Sequence, residues 1–289
     1  MSIPSMHRRR WLALAGASAC GAAFFDAPAV LARAGFAPDD PFGGWPLGVQ
    51  TYSLREFPFV EAVRHIQGMG IHFVECFPRH FPIDAADDVL RDNQAILKKA
   101  QIQLAGYGVV EFTRDHEANR RMFEQARRAG VRNITANPQP DSFESLERLV
   151  AEFDIRIAIH NHGPGALYDS IESVTRAVEK RHKWIGACID TGHFLRSKED
   201  PVRAVRELGK RVFALHIKDE ARQEKDSHNV VIGRGHLDVV GLFQALKEVG
   251  FPADGDLALE YEANPANPID DMKACLDVAR EAIQKVAKA

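Results

Sequence analysis

The sequence predicts an α/β fold, a single (β/α)8 TIM barrel, and three observations carry that expectation. Apolar, β-branched runs alternate with stretches of helical periodicity along residues 47–261. The runs start about 25 to 30 residues apart, roughly one strand-plus-helix unit. Eight such units occupy roughly 250 residues, the usual span of such a barrel. A doubly wound open sheet would need fewer strands, and no G-x-G-x-x-G turn follows the first run. With 45% apolar and 27% charged residues in a chain of 289, the composition excludes collagen, low-complexity disorder and disulfide mini-scaffolds.

Ahead of the first run, Arg8, Arg9 and Arg10 precede Trp11-Leu12 and a Gly- and Ala-rich apolar stretch reaching Phe25. Ala27-Pro28-Ala29 and Ala32-Arg33-Ala34 follow, both of the small-residue type that export peptidases accept. Asp26 and Pro28 end the apolar stretch before a bilayer could be crossed, which excludes a membrane span. Residues 1–34 are therefore expected to be an export signal and 35–289 the barrel. An arginine pair followed by any residue, an aromatic and Leu resembles a twin-arginine signal, with an ordinary Sec signal as the alternative. The expected location is the periplasm. Loss of four Arg and one Asp with the signal leaves a chain more acidic than the −3 of the whole, so nucleic acid and anionic lipid are poor partners. Cys76, Cys188 and Cys275 remain, scattered and without a CxxC, which describes no disulfide framework.

The candidate strands are Leu47–Tyr52, His72–Cys76, Ile102–Tyr107, Val131–Ala136, Ile155–His160, Ile185–Asp190, Val212–Ile217 and Leu257–Tyr261. Among the helices between them, Leu146, Leu149, Val150 and Phe153 form one apolar stripe. Leu242, Phe243, Leu246 and Val249 form another, started by Asp238 and stopped by Gly250. Asp200-Pro201 opens a third, a capping carboxylate followed by Pro at the first helical position. Between the last two strands, Arg222–Asp238 is a long polar loop, expected to rise from the catalytic face.

Barrel chemistry collects at the C-terminal ends of the strands. The fifth strand ends in His160-Asn161-His162, the sixth in Asp190-Thr191-Gly192-His193, the seventh runs into His216-Ile217-Lys218-Asp219, and the eighth ends in Glu260-Tyr261-Glu262. Four neighbouring strands thus bring imidazoles and carboxylates to one rim, a donor mixture suited to one divalent metal: Mn, Co, Fe, Zn or Mg. Trp45 and Tyr52 are candidates for a sugar-stacking wall, with core packing as the alternative for at least one of them.

These motifs, with Gly233-Arg234-Gly235, resemble the sugar phosphate isomerase/epimerase family of xylose-isomerase-like barrels, over about residues 47–262. The resemblance implies metal ligands at Asp190, His216 and Glu260, and substrate-oxygen contacts at His193 and Arg222. Many members carry Glu where this chain has His160, so the fourth ligand falls to His160, with His162 as the alternative. An imidazole bound to metal has committed its lone pair, which leaves Glu260 and His162 as the catalytic bases, with His193 as a substitute. Glu75 and Lys218 are further candidates for substrate contact. Each has a structural alternative, Glu75 pairing with Arg79 and Lys218 with Asp219.

The expected function is a metal-dependent enzyme of the isomerase/epimerase family that abstracts a proton beside the carbonyl of an unphosphorylated sugar. The alternative on the same scaffold is a 3-keto-glycoside lyase working by β-elimination. A nuclease with this barrel would need more ligands and a less acidic surface, and a non-catalytic sugar-binding barrel would not need the ligand set. The partner is a small carbohydrate; a homo-oligomer is left open.

Overall fold

The computed structural model describes residues 41–288, so the expected export segment lies outside the described residues. Eight parallel strands close into a barrel. They are β1 (Leu47–Gln50), β2 (Phe73–Cys76), β3 (Gln103–Phe112), β4 (Asn133–Pro138), β5 (Arg156–His160), β6 (Ile185–Asp190), β7 (Val212–Ile217) and, after a hairpin of β8 (Asp219–Glu220) with β9 (Asn229–Val230), β10 (Asp256–Leu259). Closure comes from β1, which pairs with β2 on one side and with β10 on the other, Leu47 lying opposite Leu257.

Outside the barrel run α1 (Phe59–Gly68), α2 (Asp87–Lys99), α3 (His116–Ala129), α4 (Phe143–Phe153), α5 (Ile171–Val178), α6 (Thr191–Arg196), α7 (Pro201–Leu208), α8 (Val239–Val249) and α9 (Ile269–Lys288). Each apolar stripe turns inward. Leu146, Leu149 and Val150 of α4, with Leu242, Phe243 and Leu246 of α8, are buried in one continuous core shared with the outer faces of the strands. Burial of side chains this size is worth about 1.5–3 kcal/mol each, which is what holds the helical ring on the barrel.

The predicted ends hold. Asp238 accepts the Gly241 N–H at 2.8 Å, and Gly250 takes the left-handed conformation that stops α8. Asp200 caps α7, with Pro201 at its first position.

The structure also corrects the predicted elements. β1 ends at Gln50, because residues Thr51–Leu54 turn into a short 3-10 helix. β3 continues to Phe112, five residues beyond its expected end. The expected loop Arg222–Asp238 is not wholly irregular: β9 lies within it and pairs with β8, just ahead of it. Directly after β6 stands α6, started by Asp190, whose side chain accepts the His193 N–H. Among the described residues no helix is long and apolar enough to cross a membrane.

Candidate metal centre at the C-terminal rim

Strand register decides which side chains meet. Asp190 of β6 lies directly opposite His216 of β7, and His160 of β5 lies opposite Cys188, two residues before Asp190. Successive residues of a strand alternate faces, so Cys188 and Asp190 share one face. The fully buried Cys188 thiol, pushed up to about 12 by burial, lies below the rim beside His216.

One donor atom each from His160, Asp190, His216 and Glu260 falls within 4.8 Å of the other three. His160 Nε2 is 3.0 Å from His216 Nδ1 and 3.3 Å from Asp190 Oδ2. Glu260 Oε2 is 3.0 Å from His216 Nδ1. Bonds of about 2.1 Å to a common centre put ligand atoms about 3 to 3.5 Å apart, so the spacing fits one ion. The buried oxygens Asp190 Oδ2 and Glu260 Oε2 accept no well-aligned hydrogen bond, although imidazoles of the cage and the Lys218 ammonium stand within ion-pair distance of them. Two imidazoles and two carboxylates can hold a divalent metal.

The charges around the cage are uneven. Burial pushes His160 down to about 3, so its imidazole is neutral and its lone pair available. Burial also opposes charge on His216, but Cys188, Glu75 and Glu260 outweigh it and raise its pKa; a bound metal would take that proton's place. Lys218 Nζ stands 3.0 Å from Asp190 Oδ2 and 2.9 Å from Glu260 Oε2, and bonds to Glu262 as well. Burial would raise the Glu260 carboxyl; Lys218 and His216 overcome this and hold it well below the usual carboxylate range. Lys218 therefore pairs with carboxylates of β6 and of the segment after β10, not with Asp219.

Glu75 is fully buried and does not face the mouth of the barrel. Its Oε2 accepts from His216 Nε2 at 2.6 Å, which turns the Nδ1 lone pair toward the cage. Arg79, its alternative partner, donates instead to the Arg55 carbonyl. Beside Glu75 lies the buried Asp256, whose carboxyl is raised by burial and by Glu75. Gly106 makes room for it, since a Cβ there would sit 1.8 Å from Asp256 Oδ2.

His162 lies outside the cage. Its half-buried ring meets His160 edge-on at 4.6 Å between centroids and stacks on His193 at 5.5 Å. Burial lowers both, His193 to about 4. His193 Nε2 is 3.9 Å from Asp190 Oδ2. Arg222 is exposed and pairs with Glu224 and Asp226 of its own loop. Tyr52 is exposed beside Phe77 at the rim, whereas Trp45 packs edge-on against Phe243 of α8.

Two residues outside the expected set shape the rim. The Asp219 carboxylate accepts the backbone N–H groups of Glu220, Gly233, Gly235, His236 and Leu237, all at 2.7 to 2.9 Å. A Cβ on Gly235 would lie 2.2 Å from the Glu220 carbonyl, so this close approach requires glycine. Arg196, at the end of α6, contacts His193 and the Lys225 carbonyl. The His-x-Lys-Asp and Gly-x-Gly pair was a visible signal for the first; nothing in the sequence singles out the second.

Among known proteins, an inosose dehydratase from Geobacillus thermodenitrificans is 28% identical over 148 residues, 45% of this chain and 49% of that protein. The chain thus spans about half the length of the curated relatives it matches. The crystal structure of an uncharacterised protein from Parabacteroides distasonis is 27% identical with a TM-score of 0.63, covering 83% of this chain and 98% of that one. The IolI protein with a bound zinc atom shares the fold at 17% identity and a TM-score of 0.67, covering 83% of this chain and 98% of that one. Residues 63–282 match the xylose isomerase-like TIM barrel family, and the chain belongs to that family.

Proposed function

We propose that this protein is a divalent-metal-dependent lyase that removes the proton beside the carbonyl of an unphosphorylated keto-sugar and expels water or an alcohol from the next carbon. The observation that carries the reading is His160 in the cage: a buried, neutral imidazole leaves Glu260 as the only glutamate among the four donors. Clean epimerisation needs bases on opposite faces, whereas elimination needs one. The matched relatives named as dehydratases support elimination over the isomerisation that the resemblance first implied.

His160, Asp190, His216 and Glu260 would hold the ion, with the two imidazole nitrogens favouring Mn, Co, Fe or Zn over Mg. When bound, it supplies Lewis-acid polarisation of the substrate carbonyl. His162, beside the cage, takes the proton from the carbon next to that carbonyl, or Glu260 does so from within it. The C–H electron pair becomes the new C=C bond as the C–O bond to the leaving group breaks, and the base hands the abstracted proton on to the departing oxygen, which leaves as water or alcohol. Lys218 offsets the carboxylates, and His193 meets a substrate oxygen.

The Gly233–Leu237 turn supports an unphosphorylated substrate. Its backbone N–H groups already bind Asp219, so they do not form a phosphate cradle. Export to the periplasm, read from residues 1–34, agrees with such a substrate.

Metal-loaded protein incubated in deuterated water with 3-keto-glucosides and with a keto-inositol should release alcohol or water and form a conjugated enone. Recovery of deuterium-labelled isomerised or epimerised sugar without an enone would replace the lyase reading.

A further inference from the structure

We propose that Arg196 is a positioning residue that fixes His193 in the tautomer carrying its proton on Nε2, so that His193 is a hydrogen-bond donor at the rim and not a base. A guanidinium has five donors and no acceptor. Arg196 Nη1 lies 3.3 Å from His193 Nδ1, so that nitrogen must present its lone pair, and the ring proton belongs to Nε2.

Arg196 is well placed to impose this choice. Its Nε and Nη2 both donate to the Lys225 carbonyl, at 2.9 and 2.7 Å. Its flat face covers Gly163, where a Cβ would come within 3.4 Å of the guanidinium carbon. The group is thus held by the loop after β7 on one side and by the β5 loop on the other, and its Nη1 faces His193. The backbone of His193 is pinned too, since its N–H donates to Asp190 Oδ1 at 2.7 Å.

The opposite edge of the ring faces the cage. The nearest carboxylate oxygen, Asp190 Oδ2, is 3.9 Å from Nε2, beyond hydrogen-bond reach. The Nε2–H is left for an acceptor entering the rim. What that acceptor is, a hydroxyl or carbonyl oxygen of a keto-sugar, rests on the function proposed above; the tautomer does not.

The test is separate from turnover. Histidine-labelled full-length protein loaded with zinc is examined by nitrogen-15 NMR of the imidazole rings, with the His193 signals assigned by their loss in His193→Gln. His80 provides an internal reference, because its Nε2 faces the Phe57 carbonyl at 2.9 Å and must donate. Wild-type His193 should show a protonated Nε2 and an unprotonated Nδ1, matching His80. Arg196→Met should lose that asymmetry at His193 alone, and Arg196→Lys should partly restore it. A protonated Nδ1 in wild type overturns the proposal, and so does an unchanged His193 pattern in a folded Arg196→Met protein. Inactivity of the wild type on keto-sugars with the predicted tautomer present would count against the lyase reading and leave the Arg196 assignment standing.

Discussion

At the scale of single residues, His216 is aligned from behind. The Glu75 carboxylate accepts a hydrogen bond from its Nε2–H, so the lone pair of Nδ1 faces His160 and Glu260. Replacing Glu75 by Gln keeps the shape and weakens this alignment. Zinc or manganese affinity, measured by calorimetry on the metal-free protein, should fall about 10–100-fold. Loss of a ligand is more severe: Asp190→Ala and Glu260→Ala should each purify without stoichiometric metal by elemental analysis, and full occupancy in both would remove the cage from consideration. The four converging donors were legible because each follows or ends a strand run and two chemical types recur there. Glu75 was legible as a strand-end carboxylate but not in its direction. A glutamate at that position reads the same whether it points to the mouth or to the layer beneath, and only its contact with the buried His216 decides it. Arg196 left no trace in the sequence, since an arginine on a six-residue helix has no pattern to distinguish it from a surface charge.

At the scale of elements, the loop between β7 and α8 is fastened by one carboxylate. Asp219→Ala would strand five backbone N–H groups that now share it, and the donors of the two buried residues, Glu220 and Leu237, would cost about 1–3 kcal/mol each when left unmet. The loop should then be cut faster by protease in limited digestion, whereas zinc affinity should stay within a few-fold of wild type. A parallel fall in metal binding would mean that the loop supports the cage itself. The α8 cap is a milder case: Asp238→Ala should cost about 1 kcal/mol in urea denaturation. Helix ends of this sort were legible from residue type alone, as Asp238, Gly250 and Asp200-Pro201 illustrate. The β8–β9 hairpin was not, because two-residue strands carry no periodicity to detect. Neither was the β3 extension to Phe112, which depends on its pairing with β4 through Phe112 and Pro138.

At the scale of the whole molecule, the cage joins β5, β6 and β7 to the segment after β10, so its ligands come from widely separated parts of the chain. A metal that binds only this assembled state should stabilise it, by about 2.7 kcal/mol at a hundredfold excess over the dissociation constant. Comparison of urea midpoints with zinc and with a chelator measures this, and equal midpoints would argue against a site in the folded barrel. Export is tested on the full-length precursor: changing Arg8, Arg9 and Arg10 to Lys should leave it in the cytoplasm, and continued export would point to the Sec route. The closure of the barrel also has a consequence in time. β1 leads the described strands, yet its partner on one side, β10, arrives some two hundred residues later, with Leu47 waiting for Leu257. Until then β1 and β7 each present an unpaired edge, the form of strand most prone to join another chain. A growing or truncated chain that stops short of Asp256 is therefore an incomplete ring with two adhesive rims, and its safety depends on how quickly the last strand is delivered.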